Sequence, residues 1–173
     1  MSVDTVRMVE LAISSVRMSL MNPIYVVILR EVNGVRRLPI FVGRPEGDAI
    51  ASFLNDNTPP RPMTHDLLAD IISHQLGAQL TQVVITRLHK DHFYATIHLR
   101  DGAREIELDA RPSDAIAVAL RLGSPIYATD EVMEAAAVVP PHYSAEREES
   151  EEDLSVFDEF LSTLDLDDDE NQP

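Results

Sequence analysis

The sequence predicts an α+β domain in which two strand–hairpin–helix units share one mixed, mainly antiparallel sheet packed with helices. Three observations point there. Short runs rich in β-branched residues alternate with segments of helical periodicity. Two stretches, Leu38–Leu54 and Glu105–Leu120, each read as a strand, an Arg-Pro junction and a helix. The likeness between them extends upstream at a slowly shrinking offset: Tyr25 matches Tyr94, Gly34 matches Gly102, Arg44-Pro45 matches Arg111-Pro112, and Asp48 to Ala51 matches Asp114 to Ala117. Most of the one-residue shifts fall at turns or junctions, where insertions are tolerated.

In order along the chain, Val6 to Val16 alternates apolar and polar residues as a half-buried strand does. Asn22-Pro23 marks a turn. Ile24 to Arg30 is a continuous apolar run, so an interior strand. Asn33-Gly34 is a strong hairpin signal leading into the strand Arg37 to Val42. Pro39 lacks a donor, so that strand lies at an edge or starts irregularly. Arg44-Pro45 opens a helix to about Leu54, and Asn55 to Pro62, with three prolines, is a loop. Thr64 is a good N-cap for a helix from His65 to Leu76. Leu67, Leu68, Ile71, Ile72 and Leu76 give that helix one apolar face, and Gly77 suits its C-terminal end. Strands follow at Val83–Leu88, Phe93–Leu99 and Arg104–Asp109, then a helix from Pro112 to Leu122. A short strand, Ile126–Ala128, leads to a last helix capped by Thr129 or Asp130.

The 173 residues carry a formal charge of −16, unevenly spread. Residues 144–173 hold thirteen acidic side chains and one basic, a net of −12, which leaves −4 for residues 1–143. The chain is therefore read as a duplicated domain, 1–143, and an acidic, mostly disordered tail, 144–173. Leu154, Phe157, Phe160, Leu161 and Leu164 fall at helical spacing within the tail, suited to a protein partner with a basic-rimmed groove. There is no Cys, which excludes disulfides and fits a cytoplasmic location. No apolar run approaches the ~20 residues of a membrane span, and the N-terminus lacks signal-peptide character.

No Walker loop, dinucleotide fingerprint, zinc pattern or kinase motif is present. The carboxylates carry the candidate chemistry. Glu105, Glu107 and Asp109 share one face of a strand because side chains alternate with period two, and Asp114 follows closely. Glu107, Asp109 and Asp114 are candidate hard-oxygen ligands for a divalent metal, Mg or Mn, whose bound water would attack a phosphodiester. The other reading of the same spacing is a solvent-facing acidic strand. His65 and Asp66 offer an acid–base pair at a helix start, or are surface residues. Arg111 is extended because it precedes proline, and Pro112 suits the first helical position. Asp114 in the first turn is placed to meet free N–H groups, and Arg111 to pair with Asp114 or Asp109, or to hold phosphate. Ser113 lacks the glycines of a nucleophile elbow and reads as a helix-start residue.

The stretches Leu38–Gly43, Pro60–Leu68 and Asp109–Leu120, with Pro125–Tyr127, resemble the bifunctional nuclease domain family over roughly Val9 to Val138. The resemblance implies an α+β domain, a homodimer, and DNase and RNase activity. The positions that match its motifs are His65, Asp66, Asp109, Arg111, Ser113 and Asp114. The first half departs from the second, with Phe41 near the Asp109 position and Glu46-Gly47 near Ser113, so the halves are not chemically equivalent. Two functions stand open: a nuclease using Asp109, Asp114, Arg111, His65 and Asp66 on DNA or RNA, or a non-catalytic regulatory module that binds a protein through its acidic tail.

Overall fold

The structure is a computed structural model and describes residues 6–19 and 24–140. The strands are β1 (Met8–Met18), β2 (Tyr25–Glu31), β3 (Arg37–Val42), β4 (Gln79–His89), β5 (His92–Asp101), β6 (Arg104–Ala110) and β7 (Ile126–Thr129). The helices are α1 (Arg44–Leu54), α2 (Thr64–Asp70), α3 (Pro112–Leu122) and α4 (Asp130–Ala136). The strands form one sheet in the order β3-β2-β1-β7-β4-β5-β6. Only the β4–β7 pairing is parallel, so the sheet is mixed and mainly antiparallel. Two three-stranded meanders thus flank β7, and each is followed by a helix that starts at an Arg-Pro junction. The turn at Asn22-Pro23 and the acidic tail with its apolar residues lie outside the described residues.

One apolar core fills the space between the sheet and the helices. Val27, Leu29, Val83 and Ile85 from the strands meet Ile50, Ile116 and Val132 from the helices, all fully buried. Each such side chain stabilises the fold by about 1.5–3 kcal/mol relative to exposure. β3 lies at the sheet edge, where Pro39 costs no ladder bond, and the Arg37 backbone there exchanges hydrogen bonds with Val138. The hairpin at Asn33-Gly34 is longer than a two-residue turn: Glu31 N–H donates to the Arg36 carbonyl across four intervening residues. The turn between β4 and β5 is a two-residue one, with Lys90 and Asp91 both in the left-handed region, as a type I′ turn requires.

α3 is the central helix. Ala115, Ala117 and Ala119 are fully buried, and the absence of bulk lets α3 pack against both α1 and α2. The second helix differs from the expectation in three ways. Met63, not Thr64, is its N-cap. It passes after Asp70 into a π-helical turn, Ile71–Gln75. The face turned to the protein is His65, Ala69 and Ile72, whereas Leu67, Leu68, Ile71 and Leu76 are exposed. The apolar periodicity identified a face but not its direction: His65 turns inward beside Ala69 and Ile72, and meets a carboxylate on α3.

Candidate active site

Strand β6 ends at Ala110, and Arg111 is the extended N-cap of α3 (φ −68°, ψ 144°). Pro112 then begins the helix, as its fixed φ and missing donor favour. Asp114 is the third helical residue. Its carboxylate was expected to cap free N–H groups, but no side-chain cap bond forms at α3. Instead one oxygen accepts from Arg111 Nε at 2.7 Å, and the other lies 3.0 Å from His65 Nε2. Arg111 NH2 also donates to Glu46 Oε1, at 2.6 Å. Arg111 therefore ties the first turn of α1 to the first turn of α3, and Asp114 ties α3 to α2.

The carboxylate next to His65 on α2, Asp66, faces elsewhere. Asp66 accepts a bond from the Met63 backbone N–H at 2.8 Å and from Arg121 Nε. Arg121, near the C-terminal end of α3, also donates to the Ala117 and Ala49 carbonyls. Consecutive residues of α2 thus join two ion-pair systems along α3, His65 with Asp114 at its start and Asp66 with Arg121 near its end. Both carboxyls are held below the ordinary range. For each, burial pushes the pKa up and is outweighed. Arg111 and His65 do so at Asp114, and the Met63 N–H and Arg121 do so at Asp66. The same contacts hold the Arg111 guanidinium even more firmly protonated than usual.

His65 is buried rather than a surface residue, its side chain only 8 % exposed. A neutral imidazole that donates from Nε2 to Asp114 carries its lone pair on Nδ1. This is the orientation a carboxylate imposes on a catalytic base. Arg111 has the opposite character: two-thirds of its side chain is exposed, although it holds two carboxylates. A guanidinium has five N–H donors, so a solvent-side edge remains for an anionic oxygen.

The expected metal ligands are not brought together. Among the described residues no three His, Cys, Asp or Glu side chains gather as a metal site. Glu107 is exposed and lies 3.6 Å from His98 across the β5–β6 pair. Asp109 is exposed on the same edge strand, opposite Thr96. Asp114 is committed to an arginine and a histidine, whose positive charge or N–H opposes a cation. The strand carboxylates form a solvent-facing face, and this donor set does not fit a divalent ion.

Two participants escaped the sequence reading. Glu46 stands where the two halves fail to match, yet counted from the N-cap it is the third residue of α1, as Asp114 is of α3. Arg121 was visible only as a cation in the last turn of α3, a place that a solvated arginine also favours. On the first half, Tyr25 donates its hydroxyl to Asp48 at 2.6 Å, and Arg44 lies 3.7 Å from the same carboxylate. That bond raises the Tyr25 pKa above its ordinary value.

Asp114→Asn is expected to destabilise the protein at neutral pH by about 1–3 kcal/mol, the cost of weakening hydrogen bonds to charged groups. Because the folded-state pKa of Asp114 is depressed, its contribution is present above the unfolded carboxylate pKa. It is lost as pH falls through the folded value. The gap between wild type and Asp114→Asn in urea denaturation should therefore begin to narrow below about pH 4. A gap unchanged from pH 7 to pH 3 would contradict the assignment.

An α+β fold with a buried His–Asp pair and a bridging arginine at converging helix starts defines a class of domain with a polar centre on the helix side of the sheet. The family model for the bifunctional nuclease domain matches residues 27–141, and the chain belongs to that family. It is also 42 % identical over 146 residues to two proteins of Mycobacterium tuberculosis. These are "Uncharacterized protein MT1877" of strain CDC 1551 and "Uncharacterized protein Rv1829" of strain H37Rv. Each alignment covers 83 % of this chain and 87 % of the relative. Among the described residues, no helix is long and apolar enough to cross a membrane.

Proposed function

We infer that this chain is a cytoplasmic nuclease that hydrolyses phosphodiester bonds of DNA or RNA at the start of α3. The observation that carries the reading is the convergence of Arg111, Asp114 and His65, joined by Glu46 from α1. Arg111 would bind a non-bridging phosphate oxygen with its exposed edge. Asp114 holds His65 in the tautomer whose Nδ1 takes a proton from the attacking water. The new phosphorus–oxygen bond forms as the ester bond on the opposite side of phosphorus breaks, the departing oxygen takes a proton from water, and His65 releases its own to solvent. Family membership supports this reaction class.

The test is cleavage of single-stranded DNA, double-stranded DNA and RNA by the full chain, with and without Mg or Mn. Arg111→Met, Asp114→Asn and His65→Gln, each checked for folding, serve as controls. Loss of at least ~100-fold in the His65 variant is expected for a general base. Cleavage that is equal in wild type and all three variants would remove the reading. Activity confined to Mg or Mn would require metal ligands other than the three strand and helix carboxylates considered above.

A second reading, that the chain is an interaction module, is favoured by one observation. Met63, Leu67, Leu68, Ile71 and Leu76 expose five large apolar side chains within one short stretch. Runs of that kind mark protein contacts more often than bare solvent. We place a second copy of this chain there, as a homodimer, with the acidic tail left for a different protein partner. Light scattering should report a dimer for wild type and a monomer for Leu67→Glu/Ile71→Glu. A monomeric wild type, or a dimer unaffected by the charges, would exclude this face.

A further inference from the structure

The tip of the β4–β5 hairpin carries a pair of histidines outside the candidate active site. The strands close there on a two-residue turn, with Lys90 at φ 47° and Asp91 at φ 60°. His89 and His92 flank that turn and stand directly opposite each other in the register. Both are exposed. We propose that these two imidazoles hold one late first-row transition ion, Zn²⁺ or Cu²⁺, between them.

The pairing, the tautomer and the donor type point to that ligand. Directly opposed residues of an antiparallel pair project from the same face, with Cβ atoms about 4.5–5.5 Å apart. An ion about 2.0–2.1 Å from a nitrogen of each ring can sit between two such side chains. The tight turn fixes the register, so the pair does not slide apart. His92 Nδ1 lies 2.6 Å from the Lys90 carbonyl oxygen. A carbonyl only accepts, so Nδ1 carries the hydrogen, and in the neutral ring the lone pair is on Nε2. A metal-ligating histidine is held in the same way: its other nitrogen donates to a carbonyl, which fixes the ring and raises its basicity. His89, being exposed, can present either nitrogen. Two neutral nitrogen donors suit zinc and copper, and not magnesium, which takes oxygen ligands. The charges at the tip are partly offset. Asp91 adjoins Lys90, and the Arg87 guanidinium, two residues from His89 on the same face, is held 3.9 Å from the centroid of the Tyr94 ring. No third protein ligand joins the pair among the described residues, so water takes the remaining positions of a four-coordinate ion. The site stands apart from the strand carboxylates and does not rest on the hydrolytic reading.

The experiment is titration of the ¹⁵N-labelled full chain with ZnCl₂, read as amide shifts. The expected result is saturable shifts at residues 87–94 and none there with MgCl₂. Cu²⁺, which nitrogen donors bind more tightly than Zn²⁺, should broaden the same amides at a lower concentration. His89→Gln and His92→Gln should each raise the half-saturating Zn²⁺ concentration roughly tenfold or more. Both side chains are exposed, so their replacement leaves the core intact. His74→Gln, at an exposed histidine in the π-helical turn after α2, should bind as wild type does. The proposal is overturned by the lack of a saturable shift at the hairpin, by equal shifts with MgCl₂, or by undiminished binding in either hairpin variant. Loss of the hairpin shifts in His74→Gln would overturn it as well.

Discussion

Gly47→Ala is expected to destabilise the protein by about 1–3 kcal/mol, the usual cost of forcing bulk into a filled site. The sign is the informative part. Gly47 sits inside α1 with ordinary helical backbone, and its φ is not positive. In an open helix position, alanine gains roughly 0.8–1 kcal/mol over glycine. Here a Cβ would collide with Cδ2 and Cγ of Tyr25 and approach its Cβ to 2.6 Å. Those atoms lie near the backbone of β2 and cannot swing aside as a side-chain tip does. The ring is also held by its hydroxyl bond to Asp48, one residue beyond Gly47. Chemical denaturation of the single variants and of the double variant with Tyr25→Ala checks this. The penalty for Gly47→Ala should shrink when the ring is absent. A stabilised Gly47→Ala protein would show that the helix and β2 are not in this close contact.

Arg121→Met is expected to cost about 3 kcal/mol. Its side chain is only 7 % exposed and has three acceptors: the Asp66 carboxylate and the Ala117 and Ala49 carbonyls. Removing one partner of a buried ion pair typically costs about 3–5 kcal/mol, because the other charge is left uncompensated. The lower end applies here, since Asp66 is 28 % exposed and water can reach it. Adding Asp66→Asn to Arg121→Met removes the stranded charge and should recover part of the loss in the same urea titration. A double variant as unstable as the sum of the singles would place the cost in packing against Phe53 instead.

The architecture was largely legible because its signals are local. Pro39 left an edge strand or an irregular start open, and β3 is an edge strand. Arg-Pro fixed the two junctions from the restricted backbone before proline. Thr129 caps α4, with its hydroxyl accepting from Val132 N–H. The site was legible only in part, because its bonds are long-range. The sequence placed Arg111 beside Asp114, three residues away, but nothing local joins Arg111 to Glu46 across 65 residues, or Asp114 to His65 across 49. The α2 orientation failed for the same reason. Counting apolar residues favours burying Leu67, Leu68 and Ile71, whereas His65, Ala69 and Ile72 face inward, with His65 bonded to Asp114 and Asp66 to Arg121. The metal set rested on a local pattern of another kind. Alternation correctly put Glu107 and Asp109 on one face, but that face belongs to the outermost strand and looks away from the helix starts.

The position of β7 bears on how the chain assembles during synthesis. The two meanders share no ladder; each is hydrogen-bonded to β7 and not to the other, through β1 on one side and β4 on the other. A ribosome that has released everything up to Pro125 has therefore delivered six of the seven strands without the piece that joins them. Four residues, Ile126–Thr129, close the sheet. Until they emerge, β1 and β4 each present an unpaired backbone edge, the kind of surface on which nascent chains pair with one another. The joining strand arrives with α4 directly behind it, so the gap and the core over it are sealed in one late step.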